Sequence, residues 1–198
     1  MGLKQTPSQT IGPFFAYGLT SEQYDYQLSQ IAGGDLLARA PDTAGQRIRI
    51  VGTVYDGEGV AIPDAMVEIW QADAQGRYAD PAHGHGSNTG FAGFGRVGTG
   101  TDPDNRFVFD TIKPAAVSAT AAPHVNVVVF ARGLLAHVYT RLYFSDEAAA
   151  NDQDPVLMSV PAERRETLIA TRLEGEDVVT YAFDVHMQGA SETVFFDV

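Results

Sequence analysis

Three places in the 198-residue chain put chemistry-bearing side chains close together. His83-Gly84-His85 lies in a Gly-rich stretch, and two imidazoles that near can share one metal ion. Glycines leave such a loop without a fixed geometry, and no third ligand follows at a set offset, so its default reading is a solvated loop. His124-Val125-Asn126 is the second place. Residues two apart in a strand share a face, so a His-x-His pair there would chelate a metal. Here asparagine, a poor ligand for iron, takes the second position, and His124 reads first as a histidine hydrogen-bonded at the mouth of a sandwich. The third is Arg132, which ends an apolar run just before Gly133. A guanidinium at such a turn is suited to gripping a carboxylate through two N–H groups, or it pairs with one of the chain's many acids. His137 and His186 fall within strand patterns and read as structural, and Trp70 and Tyr78 read as core or near-core aromatics.

The elements that must position these groups are strands. Gln46–Tyr55 alternates Ile48, Ile50, Gly52 and Val54 with other residues, the two-residue period of a half-buried strand. Further strands are expected over 65–72, 96–99, 106–111, 124–131, 136–144, 167–173 and 178–187, and at the C-terminal end over 193–197. Short helical turns are expected at 146–151 and 161–165. Asp56-Gly57-Glu58-Gly59 and Asp73-Ala74-Gln75-Gly76 are turn sequences, and 79–95 reads as a long loop. Short strands at this spacing predict an all-β fold, a single β-sandwich over residues 46–198. Residues 1–45 carry few strand signals and read as an N-terminal arm and loop that pack on something else. Thr6–Phe15 within them is punctuated by Pro and Gly, and Pro13 holds Gly12 away from helix, so an extended arm is expected.

Composition removes several function classes. With 13 Lys+Arg against 25 Asp+Glu the net charge is −12, which argues against nucleic acid and against an anionic membrane surface. The absence of cysteine excludes disulfides, thiolate-bound metals and a cysteine nucleophile. No apolar run approaches the roughly 18 residues of a spanning helix, and no leader pattern is visible, so a soluble cytoplasmic protein is expected. Met1–Thr6 fits the short myristoylation pattern, but no basic cluster follows to supply a second anchoring signal.

The stretch Val67-Glu68-Ile69-Trp70-Gln71-Ala72-Asp73-Ala74-Gln75-Gly76-Arg77-Tyr78 resembles the signature of the intradiol ring-cleavage dioxygenases. Phe94-Gly95-Arg96, Thr111-Ile112-Lys113-Pro114, Pro123-His124-Val125-Asn126 and Arg141-Leu142-Tyr143-Phe144 follow in that family's order. The resemblance implies a sandwich that in its catalytic members holds non-haem ferric iron with two tyrosines and two histidines. Matched residue by residue, the first tyrosine belongs in the loop after Tyr78, where 79–95 contain none, and the second falls on Val117. The first histidine matches His124 and the second falls on Asn126. One imidazole cannot hold ferric iron, so this chain is expected to carry no metal ligand set and no catalytic residue of its own.

Thr6–Phe14 and Gly189–Val198 resemble the arm and tail of a family member built from two kinds of chain. That resemblance implies an alpha chain without iron, paired with a beta chain that holds Fe(III). Thr10, Gly12 and Pro13 match arm positions that line the substrate pocket, and Arg132 matches a rim arginine that holds the carboxylate of a small aromatic substrate cleaved with O2. Two other readings stay open at this level. One is a self-sufficient dioxygenase with ligands drawn from His83, His85 and His124, and the other is a sandwich that only binds.

Overall fold

The computed structural model describes residues 10, 12–26, 33–79 and 90–197. Met1–Thr6, Ile11 and the pair His83 and His85 lie outside the described residues.

Alternation decides where β1 (Arg47–Tyr55) goes: Ile48, Ile50 and Val54 are buried, while Arg47 and Arg49 face solvent. The same rule places β2 (Met66–Gln71), β3 (Phe94–Gly98), β4 (Arg106–Ile112), β5 (His124–Phe130), β6 (Val138–Phe144), β7 (Ile169–Leu173), β8 (Val179–Ala182) and the short β9 (Val185–His186). The strands run in the order β3-β2-β5-β6-β7-β8-β1-β4, with β9 prolonging one edge of β1. β3, β2, β5 and β6 form an antiparallel layer, and β7, β8, β1 and β4 form the second. Among the described residues their strands are joined by Tyr143–Ile169 and Phe144–Ala170, a two-residue parallel pairing. The expected sandwich is therefore present, as one folded strip.

Val125, Val127 and Val129 of β5 point inward against Val67 and Ile69 of β2, and Phe107 and Phe109 of β4 join the same core. One polar side chain stitches the layers within it. Gln71 Nε2 donates to the Ile112 carbonyl at 2.8 Å, and Thr111 Oγ1 donates to Gln71 Oε1 at 2.9 Å. Both ends of the amide are thus satisfied, as a fully buried polar group requires.

On the outer face, at the end of β5 and β6, a second small core gathers Ala122, Tyr143, Leu157, Val160 and Leu168. It is roofed by α3 (Pro155–Ser159; α1 and α2 are Pro13–Leu19 and Ala148–Asn151) and by the 3-10 turn Ala162–Leu168. α3 was not expected from sequence, although Asp154-Pro155 is a start signal. Asp154 caps it by accepting the N–H groups of Val156 and Leu157, each at 2.9 Å, and Pro155 takes the first position.

Three expectations need correction. The arm is not extended throughout: Gly12 is extended, but Pro13 opens α1, because a ring-fixed φ suits the first helical position. Residues 33–45 are not only an arm, since they pack on this chain's own sandwich. Leu36 N–H donates to the Asp110 carbonyl at 2.9 Å, and Leu36, Leu37 and Ala40 are buried in the chain's own core. The tail segment 193–197 forms only a single bridge, Phe196 to Tyr139, rather than a strand. No helix among the described residues is long and apolar enough to cross a membrane.

Candidate functional site

Two polar constellations stand at the outer face of the first layer. The first begins with a row of cross-strand neighbours, Phe94–Trp70–Asn126–Arg141, with His124 opposite Tyr143 two residues along β5. Tyr78 is delivered to this row by the turn before it. Asp73 Oδ1 accepts the N–H groups of Gln75 and Arg77 at 2.8 and 3.0 Å. Gly76 adopts φ +75°, and any Cβ there would run into the Ala116 carbonyl, so the turn lies against Ala116–Val117. The Tyr78 ring then packs on Trp70 with centroids 4.6 Å apart. Trp70 itself is 46% exposed, so it is a surface aromatic and not the core residue its type suggested.

Hydrogen bonds close the cluster. Asn126 Nδ2 donates to Tyr78 Oη at 2.8 Å and to the Trp70 carbonyl at 3.2 Å. The buried His124 has Nδ1 at 2.9 Å from the Ala122 carbonyl, so that nitrogen carries the proton. Its Nε2 lone pair then faces Tyr78 Oη at 3.4 Å. Burial lowers the His124 pKa and raises that of Tyr78, so both groups are held neutral. Tyr143 Oη donates to Asp154 Oδ1 at 3.0 Å, and burial above all pushes its pKa up to about 12.

These residues do not fit a ferric ion. Asn126 aims N–H donors, not a lone pair, at the point where its neighbours converge, and Val117 brings no donor atom. The ligand comparison made from sequence is corrected in one respect. The loop after Tyr78 was the place to seek a tyrosine, yet the structure puts Tyr78 itself beside His124. Two donors of the family's types stand here rather than one, and two are still too few. Among the described residues no group of three or more His, Cys, Asp and Glu is placed to hold a metal.

The second constellation is open. β5 ends at Phe130, and Gly133 turns the chain with φ +89°, leaving Arg132 at the rim. Its Nε lies 2.6 Å from Asp64 Oδ2 and its Nη2 3.3 Å from Asp64 Oδ1, while the side chain stays 62% exposed. Thr10 of the arm clips the same turn: Gly133 N–H donates to Thr10 Oγ1 at 3.1 Å, and that hydroxyl reaches the Ala131 carbonyl at 3.5 Å. Gly12 and Ala16 of the arm face Pro63, Asp64 and Met66 across a cavity of about 190 Å³. Thr10, Gly12 and Arg132, far apart in sequence, are thus gathered around one rim, and Pro13 follows directly as the start of α1. Asp64 was missed from sequence, because its partner lies 68 positions away and no local pattern links them. The register of β2 against β5, which sets the Tyr78-bearing turn beside His124, is the signal that could have found Tyr78.

A model of the dioxygenase family matches residues 19–189. The chain belongs to the dioxygenase family. Among its dioxygenase relatives is the protocatechuate 3,4-dioxygenase alpha chain of Burkholderia cepacia, 53% identical over 99% of this chain and 98% of that one. The beta chain of that name from the same organism is 31% identical over 75% of this chain and 67% of that one. An intradiol ring-cleavage dioxygenase of Tetranychus urticae shares the fold, with a TM-score of 0.62 at 16% identity over 93% of this chain and 94% of that structure. Membership therefore agrees with the resemblance read from residues 67–78 and the motifs after them.

Proposed function

We propose that this chain is the alpha subunit of a protocatechuate 3,4-dioxygenase. It completes a substrate pocket whose ferric iron belongs to the beta chain. The observation that carries the reading is 53% identity over nearly the full length of both chains to an alpha chain of that name. A homologous beta chain supports an alpha–beta assembly. The substrate is 3,4-dihydroxybenzoate, opened by O2 between its two hydroxylated carbons to 3-carboxy-cis,cis-muconate, with both oxygen atoms retained in the product. Ferric iron on the beta chain supplies the activation of the bound catecholate.

What this chain's own residues do is bind and orient. Arg132 offers N–H groups to the substrate's carboxylate, Thr10 fixes the turn that carries it, and Gly12 lies in the wall beside it, where Pro13 starts α1. None of them moves a proton or touches the reacting carbons. The reading places the complex in the cytoplasm, where a small aromatic acid is its substrate.

The test is metal analysis with a visible spectrum, on this chain alone and co-expressed with a beta chain from the same source. A colourless, iron-free chain that co-purifies in a coloured, active complex is the expected result. Stoichiometric iron in the isolated chain would overturn the reading.

A further inference from the structure

The Arg132–Asp64 pair has a particular geometry. Asp64 takes the Nε–H and one Nη2–H of the guanidinium, at 2.6 and 3.3 Å, which is one edge of the fork. The adjacent edge, formed by Nη1 and the second proton of Nη2, has no partner among the described residues, and the side chain is 62% exposed. An arginine has five N–H donors in a rigid plane, so fixing one edge fixes the direction of the other.

Asp64 is itself immobilised. Thr99, fully buried, donates from its hydroxyl to the Ile62 carbonyl at 2.7 Å, and Ala65 N–H donates to that hydroxyl at 3.2 Å. Thr99 N–H returns a bond to the Ala65 carbonyl at 3.0 Å. The backbone on both sides of Asp64 is therefore stapled to the end of β3, and the carboxylate stands in the wall of the cavity that the arm covers. A flexible side chain at an open rim is thus held by a rigid anchor.

We propose that Asp64 is a positioning residue that aims the free edge of the Arg132 guanidinium at the substrate's carboxylate. This rests on the reading that Arg132 is the carboxylate grip. The pairing has a second effect. It cancels the charge of Arg132 locally, in a chain of net charge −12, so recognition depends on the geometry of two N–H groups more than on long-range attraction. Substrate need not displace Asp64, because the two carboxylates use different N–H groups.

The experiment uses the alpha–beta holoenzyme carrying Asp64→Ala, Asp64→Asn or Arg132→Ala, with iron content as the control for assembly. KM and kcat are measured for 3,4-dihydroxybenzoate. Inhibition constants are measured for 4-hydroxybenzoate and 4-methylphenol, which differ in the carboxylate. Asp64→Ala is expected to raise KM about fivefold with kcat within about twofold, and to weaken 4-hydroxybenzoate but not 4-methylphenol. Asp64→Asn keeps one acceptor and is expected to fall between wild type and alanine. If Arg132→Ala raises KM while both Asp64 variants leave it unchanged or lower it, the positioning role is wrong and the carboxylate grip stands. If Arg132→Ala itself leaves KM unchanged, the grip fails and the role of Asp64 fails with it.

Discussion

The cluster around Tyr78 and the rim around Arg132 lie on one layer of the sandwich and handle polar groups in opposite ways. In the cluster, Asn126, Tyr78, His124 and Ala122 spend their hydrogen bonds on one another, and burial keeps the titratable members neutral. At the rim, a charged guanidinium uses one edge on Asp64 and keeps the other exposed. A polar network that is complete within itself holds shape, whereas one with donors left over is ready to meet a ligand.

The contrast breaks most severely at Asp154, which supports the closed cluster from below. Its carboxylate accepts from Ala122 N–H at 2.9 Å, from Tyr143 Oη and from two N–H groups of α3. Asp154→Ala strands these donors in a buried site and should cost about 3 kcal/mol, read as a lower midpoint in urea unfolding. Although burial opposes its ionisation, these hydrogen bonds outweigh burial and lower its pKa. Asp154 therefore contributes stability that is present above the ordinary carboxylate pKa of 3.8 and lost as pH falls through its lower folded value. Asp154→Asn should flatten that acid limb.

Breaking the open region should leave the fold intact. Arg132→Ala is expected to raise KM for 3,4-dihydroxybenzoate about tenfold, roughly 1.4 kcal/mol, with no change in iron content or melting temperature. Equal KM in the two enzymes would remove Arg132 from the site. Thr10→Val deletes both bonds to the Ala131–Gly133 turn and should raise KM about threefold, near the lower range for neutral hydrogen bonds. A variant as good as wild type would show that the arm does not set the turn.

The smallest effect sharpens the comparison through pH. Burial lowers the pKa of His124 below its ordinary 6.5, so the unfolded chain binds more protons there than the folded one. Stability should then fall as pH drops below about 6.5, and His124→Gln should remove that dependence. An unchanged pH slope would mean that His124 ionises freely in the fold.

Strand alternation carried most of the architecture. Ile48, Ile50 and Val54, or Val125, Val127 and Val129, announce which face is inside, and the strands follow. What alternation does not encode is long-range pairing. Arg132 was legible as a rim arginine from its place before Gly133, but Asp64 was not. Tyr78 was visible as a residue, yet its meeting with His124 depends on how β2 pairs with β5. Trp70 was misjudged because aromatic type says nothing about which face of β2 is covered. α1 was missed because the same Pro13 that ends an extended segment also begins a helix.

β1 imposes an order on how the molecule is made. Its antiparallel neighbour β4 is synthesised soon after it, but its other edge is closed by β8 and β9, with Ile48 pairing Val179. During translation that edge stays open until residues 179–186 have been made, and non-local pairing of this kind is slow and exposed to wrong partners. The arm has the reverse problem. Thr10 is made well before the Ala131–Gly133 turn that it clips, which emerges more than a hundred positions later. Thr10 therefore finds its place only once that turn has been made.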